Sequence, residues 1–566
     1  MFLVLGRGFV SAALAVSLVA ACTAQSSKTA PITVRVDAGH PTGLYEPKWS
    51  YFGADEPNYS YASNGQQLLR ELSQLSPAPV YVRLHNLLTS GDGSASLKWG
   101  STNAYSEDVA GRPVYNWEIT DRIFDALHQN GVRPLVEVGF MPEVLSTHPQ
   151  PYRHSFPEGQ VFTGWSYPPK DYAKWAALVT AWTTHLRERY GDAEVSTWLW
   201  EVWNEPDIDY WHGTPQEYDK LYDVTAAAIQ KVLPKAKIGG PEATGVTPGK
   251  SEDFLRQFLE HCAHGTNAAT GQTGAPLAFI SFHPKGSPKS VDGHVRMDIG
   301  HQLRAMDLGM RIVASYPEWK NTPIILGESD PEGCAACKGA QNGYRNGPLY
   351  GVSVAEATAR ADELARRNGV KLQGAVTWAF EFEDQPVFAG FRELATGGKA
   401  DGVSYLVNKP VLNVFRMLGM LDGQMLLVTS SGARPVDEVL RESAGEMPDV
   451  DTIATRAERH IDVMLWNYHD DDVASPAAEI ALAVDGVPAG RVHVQRFLMD
   501  AQHSNAYSAW QRMGSPEQPT AQQFMELQQA AKLETVDRSD SVVHDGRVGL
   551  DLKLERQGVM LVRLSW

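Results

Sequence analysis

The sequence predicts an α/β protein, with a (β/α)8 TIM barrel over residues 47–420 followed by an accessory β-sandwich over residues 421–566. In the first region, short apolar runs alternate with segments of helical period. These runs lack in–out alternation, as expected when both faces of a parallel sheet are covered. No glycine-rich phosphate turn follows the first run, which disfavours a doubly wound sheet. Beyond residue 420, strand-like runs are split by Gly, Asp and Pro turns, which is typical of a sandwich.

The clearest single element is the stretch Trp198–Pro206. Aromatic and β-branched residues favour a strand, and Pro206 ends it because proline has no N–H to donate. An amphipathic helix precedes the strand, and Gly191 fits its C-terminal cap. Thr214-Pro-Gln-Glu217 is a capping box that opens the next helix. This order places Glu205 at the C-terminal end of a barrel strand, where such folds carry their chemistry.

The remaining elements follow the same alternation. The other barrel strands are predicted at Tyr51–Gly53, Val80–His85, Arg133–Phe140, Lys237–Glu242, Leu277–His283, Pro323–Glu328 and Gly374–Phe380. Helices are predicted at Gly65–Leu75, Ile119–Asn130, Glu252–His264, Gly300–Tyr316 and Ala355–Asn368. The sandwich strands are predicted at Met425–Thr429, His460–Trp466, Ala478–Val484, Val492–Phe497, Val548–Leu554 and Val559–Trp566. We expect the strand Pro31–Ala38 to join this sandwich.

The N-terminal region resembles a signal peptide over residues 1–22, with Arg7 followed by the apolar stretch Phe9–Ala21. It ends in Val19-Ala-Ala-Cys22, which is similar to a bacterial lipobox; simple cleavage beside an incidental Cys22 is the alternative. Residues 23–46 would then hold a polar tether and the first sandwich strand. We expect an exported bacterial protein, either periplasmic or attached to a membrane through a lipidated Cys22.

Composition limits the partners. The 50 basic and 67 acidic residues give a net charge of −17, which argues against nucleic acid, since Lys and Arg drive phosphate binding. Cys262 lies on the apolar face of a helix and is predicted to be a buried thiol. Cys334 and Cys337 form an isolated C-x-x-C pair, too few ligands for a zinc site. A disulfide and two free thiols both remain open.

Two glutamates at strand ends point to glycoside hydrolysis. Glu205 ends the fourth barrel strand and Glu328 ends the seventh, so both face one barrel mouth. One carboxyl would protonate the leaving oxygen and the other would attack the anomeric carbon, a reaction that needs carboxyl groups about 5–5.5 Å apart for retention. The two roles require different pKa values. The chemistry requires no cofactor and no metal.

Several motifs make the family recognisable. They are Val138-Gly-Phe-Met-Pro142, Trp203-Asn-Glu-Pro206, Phe279-Ile-Ser-Phe-His283, Leu326-Gly-Glu-Ser329, Phe382-Glu-Asp384, Lys409-Pro-Val-Leu412 and Leu465-Trp-Asn-Tyr468. With these the chain resembles glycoside hydrolase family 39, retaining enzymes that include bacterial β-xylosidases and α-L-iduronidase. The resemblance implies Glu205 as acid/base, Glu328 as nucleophile and Asn204 as the residue that holds the sugar 2-hydroxyl.

The resemblance also implies a glycone site. Its predicted substrate-binding residues are His85, Phe140, Asn204, His283, Lys285, Trp378, Glu383 and Asp384. Trp378 would lie under the sugar ring, and Glu383 and Asp384 would bind outer hydroxyls. Arg83 is expected to pair with buried carboxylates around the nucleophile, and Glu137 to be structural.

Lys285 separates the hypotheses on substrate. In the iduronidase branch a Lys in a similar pattern pairs with the uronate carboxylate; in this chain Lys285 could instead neutralise Glu383 and Asp384. The main hypothesis is a β-D-xylosidase that releases xylose from the non-reducing ends of xylo-oligosaccharides. An α-L-iduronidase-like or α-L-arabinosidase activity is the alternative, and a carbohydrate-binding surface lipoprotein is the non-enzyme alternative. Oligomeric state is left open.

Overall fold

The computed structural model describes residues 30–566 apart from 95–98, 155–160, 163, 446 and 489. The predicted signal peptide and the lipobox-like Cys22 lie outside the described residues. The strands are β1 (Ile32–Leu44), β2 (Tyr51–Ala54), β3 (Tyr81–Leu84), β4 (Arg133–Val138), β5 (Leu199–Val202), β6 (Lys237–Ala243), β7 (Phe279–Phe282), β8 (Ile324–Leu326), β9 (Leu372–Thr377), β10 (Gln424–Ser430), β11 (Asp449–Arg456), β12 (His460–Tyr468), β13 (Ala478–Asp485), β14 (Arg491–Met499), β15 (Glu534–Val542), β16 (Arg547–Leu554) and β17 (Val559–Ser565). Short hairpins in the barrel loops are referred to by their residues.

Strands β2 to β9 form a closed barrel in which neighbouring strands are parallel. Its helices are α1 (Ser63–Ser73), α2 (Glu118–Gln129), α3 (Tyr172–Tyr190), α4 (Pro215–Val232), α5 (Lys250–His264), α6 (Ile299–Ala314), α7 (Pro348–Asn368) and α8 (Pro410–Met420). The capping box of Thr214 and Glu217 opens α4, and Gly191 ends α3 at a φ of 84°. The predicted helix end at Gly191 and the predicted capping box at Thr214 are therefore both confirmed.

The accessory domain confirms the second half of the predicted fold class. Its nine strands hydrogen-bond in the order β15-β14-β17-β12-β11-β10-β1-β13-β16. Strands from both ends of this sheet contribute side chains to one apolar core, so the sheet curves around that core as a sandwich does. Strand β1 joins it, antiparallel to β10 and parallel to β13.

In the accessory domain the sequence reasoning missed two strands, β11 and β15, and three short helices, α9 (Val436–Glu442), α10 (Ala506–Arg512) and α11 (Ala521–Ala530). In the barrel it missed the helix α8, the short helix Asp192–Val195 and the loop hairpins. Strand β11 contains Asp449, Thr452 and Thr455, which are buried in spite of their polarity. Strand β15 lies at the edge of the sheet, where polar side chains are tolerated because they guard against further pairing. Neither strand contains the uninterrupted apolar run that predicts the other strands.

The two domains share a buried ionic contact. Arg360 of α7 donates to Asp449 at 2.7 Å and to Glu356 at 2.7 Å, and the indole of Trp466 donates to the other Glu356 oxygen at 2.6 Å. Met464 and Trp466 of β12 belong to the same apolar cluster as the barrel. The accessory domain is therefore packed against α7 as part of one core.

Cys334 and Cys337 form a disulfide, which resolves the alternative left open by the sequence. Cys262 is a buried free thiol as predicted. Among the described residues, no helix combines the length and the apolar character needed to cross a bilayer.

Candidate active site

Glu205 and Glu328 face each other across the C-terminal mouth of the barrel. A carboxylate oxygen of each, together with a nitrogen of His283, lies within 4.8 Å of the others. Glu205 follows β5 with φ at +44°, and its amide donates to the carbonyl of Glu242 at 3.0 Å. The side chain of Glu205 is 13% exposed and that of Glu328 only 6%. The two carboxyl groups predicted from the sequence therefore share one site and differ in access to solvent.

Glu328 is surrounded by cations. Lys285 contacts its Oε2, and Arg83 donates to its Oε1 at 3.1 Å. His85 and His283 place ring nitrogens 3.5 and 3.7 Å from the same oxygen. Burial alone would raise the pKa of Glu328, but Lys285, His283, His85 and Arg83 together hold it well below its usual range. The carboxylate is thus kept ionised despite being buried.

Arg83 organises the floor of the site. Its guanidinium contacts Glu201, lies 3.0 Å from Glu137 and donates to Asn204 at 3.1 Å. This agrees with the predicted pairing of Arg83 with buried carboxylates, and Glu137 is itself buried between Arg83 and His85. Because Arg83 fixes the amide oxygen of Asn204, the orientation of that side chain is set from below.

His283 bridges two glutamates. Its Nε2 lies 2.6 Å from Glu242 and its Nδ1 lies 2.9 Å from Glu205. Burial lowers the pKa of His283, but Glu328, Glu205 and Glu242 outweigh it and raise the pKa to about 9. For Glu242, burial raises the pKa and Arg83 and His283 lower it to about 2. At neutral pH the imidazolium can therefore donate to both Glu242 and Glu205.

Lys285 does not neutralise Glu383 and Asp384, and that part of the sequence hypothesis is wrong. Its ammonium contacts Glu328 and lies 3.3 Å from Asp330. The reason is topological: residue 285 pairs with residue 330 in an isolated parallel bridge, which brings the lysine to the end of β8. Asp384 is 71% exposed and pairs with Lys399 at 2.7 Å.

Two aromatic groups line the site. Phe140 is fully buried and packs edge-on against Trp99 and Trp203, with ring centroids 5.9 and 5.0 Å apart. Trp378 lies 4.4 Å from the ring of His85 and under the guanidinium of Arg83. Direct contact of Phe140, His85, His283 or Trp378 with a ligand stays a prediction, since each is almost completely covered.

Glu383 is half-buried, and burial raises its pKa, reinforced by Asp384. The neighbouring Glu381, which the sequence reasoning overlooked, is 1% exposed. Neither of its carboxylate oxygens has a hydrogen-bond partner in the described part of the chain. Burial, with Glu383 next, raises the pKa of Glu381 well above its usual range. A role for Glu383 and Asp384 in binding hydroxyls stays a prediction.

A cleft of about 850 Å³ opens beside Glu205 and Lys285. Its walls include Tyr152, Tyr210 and the disulfide of Cys334 and Cys337. It is large enough for a ligand that extends beyond one sugar ring, since small-molecule sites occupy about 300–1,000 Å³.

The sequence reasoning missed Glu242, Asp330 and Glu201 as members of the site. Glu242 and Asp330 lie at or just past strand ends, the signal that was used for Glu205, whereas Glu201 lies inside β5 and points inward. Asp330 accepts a hydrogen bond from the backbone amide of Trp378 at 3.0 Å and lies 3.3 Å from Lys285. It therefore connects Lys285 to Trp378.

The chain belongs to the glycosyl hydrolases family 39, whose model matches residues 32–548. Among its relatives is a β-xylosidase of Geobacillus stearothermophilus, 27% identical over 86% of each chain. Another is an α-L-iduronidase of Mus musculus, 28% identical over 88% of this chain and 75% of the relative.

Two solved structures show the same fold. A monomeric β-xylosidase from Caulobacter crescentus CB15 has a TM-score of 0.73 at 21% identity and covers 94% of this chain and 99% of its own. A bacterial orthologue of human α-L-iduronidase has a TM-score of 0.74 at 20% identity, over 94% of this chain and 84% of its own. Both therefore share the (β/α)8 barrel and the accessory β-domain with this chain.

Proposed function

We propose that this glycoside hydrolase is a retaining exo-β-D-xylosidase, with Glu328 as nucleophile and Glu205 as acid/base. The observation that carries the mechanism is the carboxylate pair: one oxygen of each lies within 4.8 Å of the other. That spacing is of the order expected for retaining enzymes, about 5–5.5 Å, and suits a covalent glycosyl-enzyme intermediate, whereas inversion needs about 6.5–9.5 Å.

The environments of the two glutamates support the assignment of roles. A nucleophile must be ionised, and the cations around Glu328 hold its pKa well below the usual range, against its burial. Glu205 is more exposed and borders the cleft, where a leaving group would depart. Asn204, whose amide oxygen accepts a hydrogen bond from Arg83 at 3.1 Å, would hold the 2-hydroxyl.

The state of Lys285 supports a neutral glycone. A uronate carboxylate would need a cation, and Lys285 is already engaged by Glu328 and Asp330. The β-xylosidase relatives at 27% and 26% identity support the same choice. The α-L-iduronidase relatives keep an acidic glycone as the second candidate, because a bound carboxylate could compete for the same ammonium group. An α-L-arabinosidase is a further candidate, since the two neutral pentosides differ at one hydroxyl.

The test is hydrolysis of chromogenic β-xyloside, α-L-arabinopyranoside and α-iduronide by the wild type and by Glu328→Ala. We expect the wild type to hydrolyse the xyloside and the variant to lose this activity. Added azide should restore cleavage by the variant and give a xylosyl azide of the opposite anomeric configuration. Turnover of the iduronide alone would move the specificity to the second candidate. No turnover of any substrate would refute the enzymatic proposal and favour a carbohydrate-binding lipoprotein.

We also propose that the protein is exported and anchored through Cys22. The apolar stretch Phe9–Ala21 and the lipobox-like Val19-Ala-Ala-Cys22 support this. A Cys22→Ser variant should move from the membrane fraction to the soluble fraction; an unchanged distribution would refute the anchor.

A further inference from the structure

The segment that follows β7 carries Lys285 into the site and then leads into α6. After Lys285 the chain forms a hairpin, Lys289–Val291 with His294–Arg296, and reaches Asp298 at a φ of +50°. This segment is held at its two ends, by the barrel at residue 285 and by α6 at residue 299. The position of the ammonium group beside Glu328 therefore depends on how both ends are fixed.

Helix α6 is capped by the accessory domain. The first N–H groups of a helix have no partner within the helix. Here Asp470 accepts them from Asp298 and Ile299, each at 3.0 Å. The hydroxyl of Ser443 accepts the amide of Gly300 at 3.1 Å and donates to the carboxylate of Asp298 at 2.7 Å. A carboxylate at this end also interacts favourably with the helix dipole.

The hairpin is attached to the same loop of the accessory domain. Asp472 accepts the amide of Val295 at 3.0 Å, and the carbonyl of Asp470 accepts the amide of Met297 at 2.6 Å. The loop itself is fixed from behind: Tyr468 donates to Asp470 at 2.8 Å, and Gln557 donates to the carbonyl of Asp471 at 2.6 Å. Residues 468–472 thus hold residues 294–300 in place through several hydrogen bonds.

Helix α6 reaches the reacting carboxylate by a second route. One turn from the cap, the buried Gln302 donates to the hydroxyl of Ser329 at 3.2 Å. Ser329 is the residue next to Glu328. Rotation or fraying of the first turn of α6 would therefore disturb Ser329 directly, in addition to loosening the segment that carries Lys285.

We propose that Asp470 is a positioning residue of the glycosidase site: from the accessory domain it caps α6 and thereby fixes Lys285 and Ser329 around Glu328. The inference rests on the proposed role of Glu328. It gives the accessory domain a part in catalysis, since a barrel without Asp470 would leave the N-terminus of α6 without its carboxylate partner.

The structural part is tested by hydrogen–deuterium exchange of the full chain in wild type, Asp470→Ala and Asp470→Asn. Residues 285–302 should exchange faster in Asp470→Ala, and by less in Asp470→Asn because an amide keeps one acceptor. The matched control is Asp500→Ala, which removes a buried carboxylate of the same domain. In the described part of the chain its partners lie in its own loop: the amides of Gln502 and His503 and the ring of His503. If alanine prevents folding, the asparagine variant carries the same test.

The catalytic part is tested by kinetics on the substrate identified above. Because misplacement of about 1 Å can cost up to about a hundredfold in rate, we expect kcat of Asp470→Ala to fall about tenfold with KM changed less than twofold. Asp470→Asn should recover most of the loss, and Asp500→Ala should keep the wild-type kcat. The effects of Asp470→Ala and Gln302→Leu should be less than additive, because both act through α6.

The outcomes separate the two proposals. Unchanged exchange over residues 285–302 in Asp470→Ala, or faster exchange with a wild-type kcat, would overturn the positioning role. Additive effects of Asp470→Ala and Gln302→Leu would overturn the shared route. A wild type that turns over no glycoside would refute the proposed function, and the exchange result would still decide whether Asp470 holds the segment.

Discussion

The ammonium group of Lys285 contacts Oε2 of Glu328, so the carboxylate that follows β8 is paired with a cation from the segment that follows the neighbouring strand β7. Both side chains are buried, the lysine 14% exposed and the glutamate 6%. Breaking such a pair leaves an uncompensated charge. The ionisation of Glu328 is therefore tied to Lys285, and a uronate carboxylate that bound to Lys285 would compete with Glu328 for it.

Replacing Lys285 by methionine should raise the pKa of Glu328. The pKa of this carboxyl is depressed in the folded state. Glu328 therefore stays ionised at pH values around the ordinary pKa of a glutamate and is protonated only when the pH falls well below that value. Without Lys285 the acidic limb of kcat/KM against pH should move to higher pH. Lys250→Met is the control, since Lys250 lines the same cleft without contacting Glu328. An unmoved limb would show that the other cations suffice.

The titration of His283 should affect stability. Its pKa is raised in the folded state from 6.5 to about 9, so its contribution is complete below pH 6.5 and is lost as the pH rises through 9. One pKa unit corresponds to about 1.4 kcal/mol, which makes the loss a few kcal/mol at most. The free energy of unfolding, measured by urea denaturation between pH 6 and 10, should decline. Glu242→Gln should flatten that decline, and a decline of equal slope would contradict the assignment.

Arg360→Met should weaken the contact between the domains. The guanidinium is 4% exposed and neutralises the buried Asp449, so its removal should cost about 3–5 kcal/mol of unfolding free energy. Arg366→Met is the matched control on the same helix, where the arginine is 65% exposed and its removal should cost about 1 kcal/mol or less. Equal shifts in the denaturation midpoint would argue that Arg360 has no special role.

Gly53→Ala should displace Trp378. A Cβ at residue 53 would lie 2.2 Å from the indole ring, so the ring or the strand must shift. We expect a higher KM. We also expect a changed near-ultraviolet circular dichroism spectrum, because the packing of the Trp378 indole would change. Gly343→Ala is the control, since a Cβ there meets no described atom within 4 Å. An unchanged KM would mean that the position of Trp378 does not affect substrate binding.

The sequence predicted the site best where one residue carried its own signal. Glu205 and Glu328 each end an apolar run, and a parallel barrel brings such ends to one mouth. The partners of these residues carried a weaker signal or, like Glu201 inside β5, none at a strand end. Glu242 follows a short run broken by Gly240 and Pro241, and it is a site residue only because β6 lies beside β5 in the barrel.

By itself the sequence determined the succession of the eight barrel strands and most of their helices, the presence of a later strand-rich domain, and the two strand-terminal glutamates. Each depends on local periodicity, caps and turn residues within one stretch of chain. The tertiary structure decided that Lys285 pairs with Glu328 rather than with Asp384, and that Asp470 caps α6 across 171 residues of sequence. Such contacts join side chains distant in the chain, and their energies depend on burial and distance that no local pattern encodes.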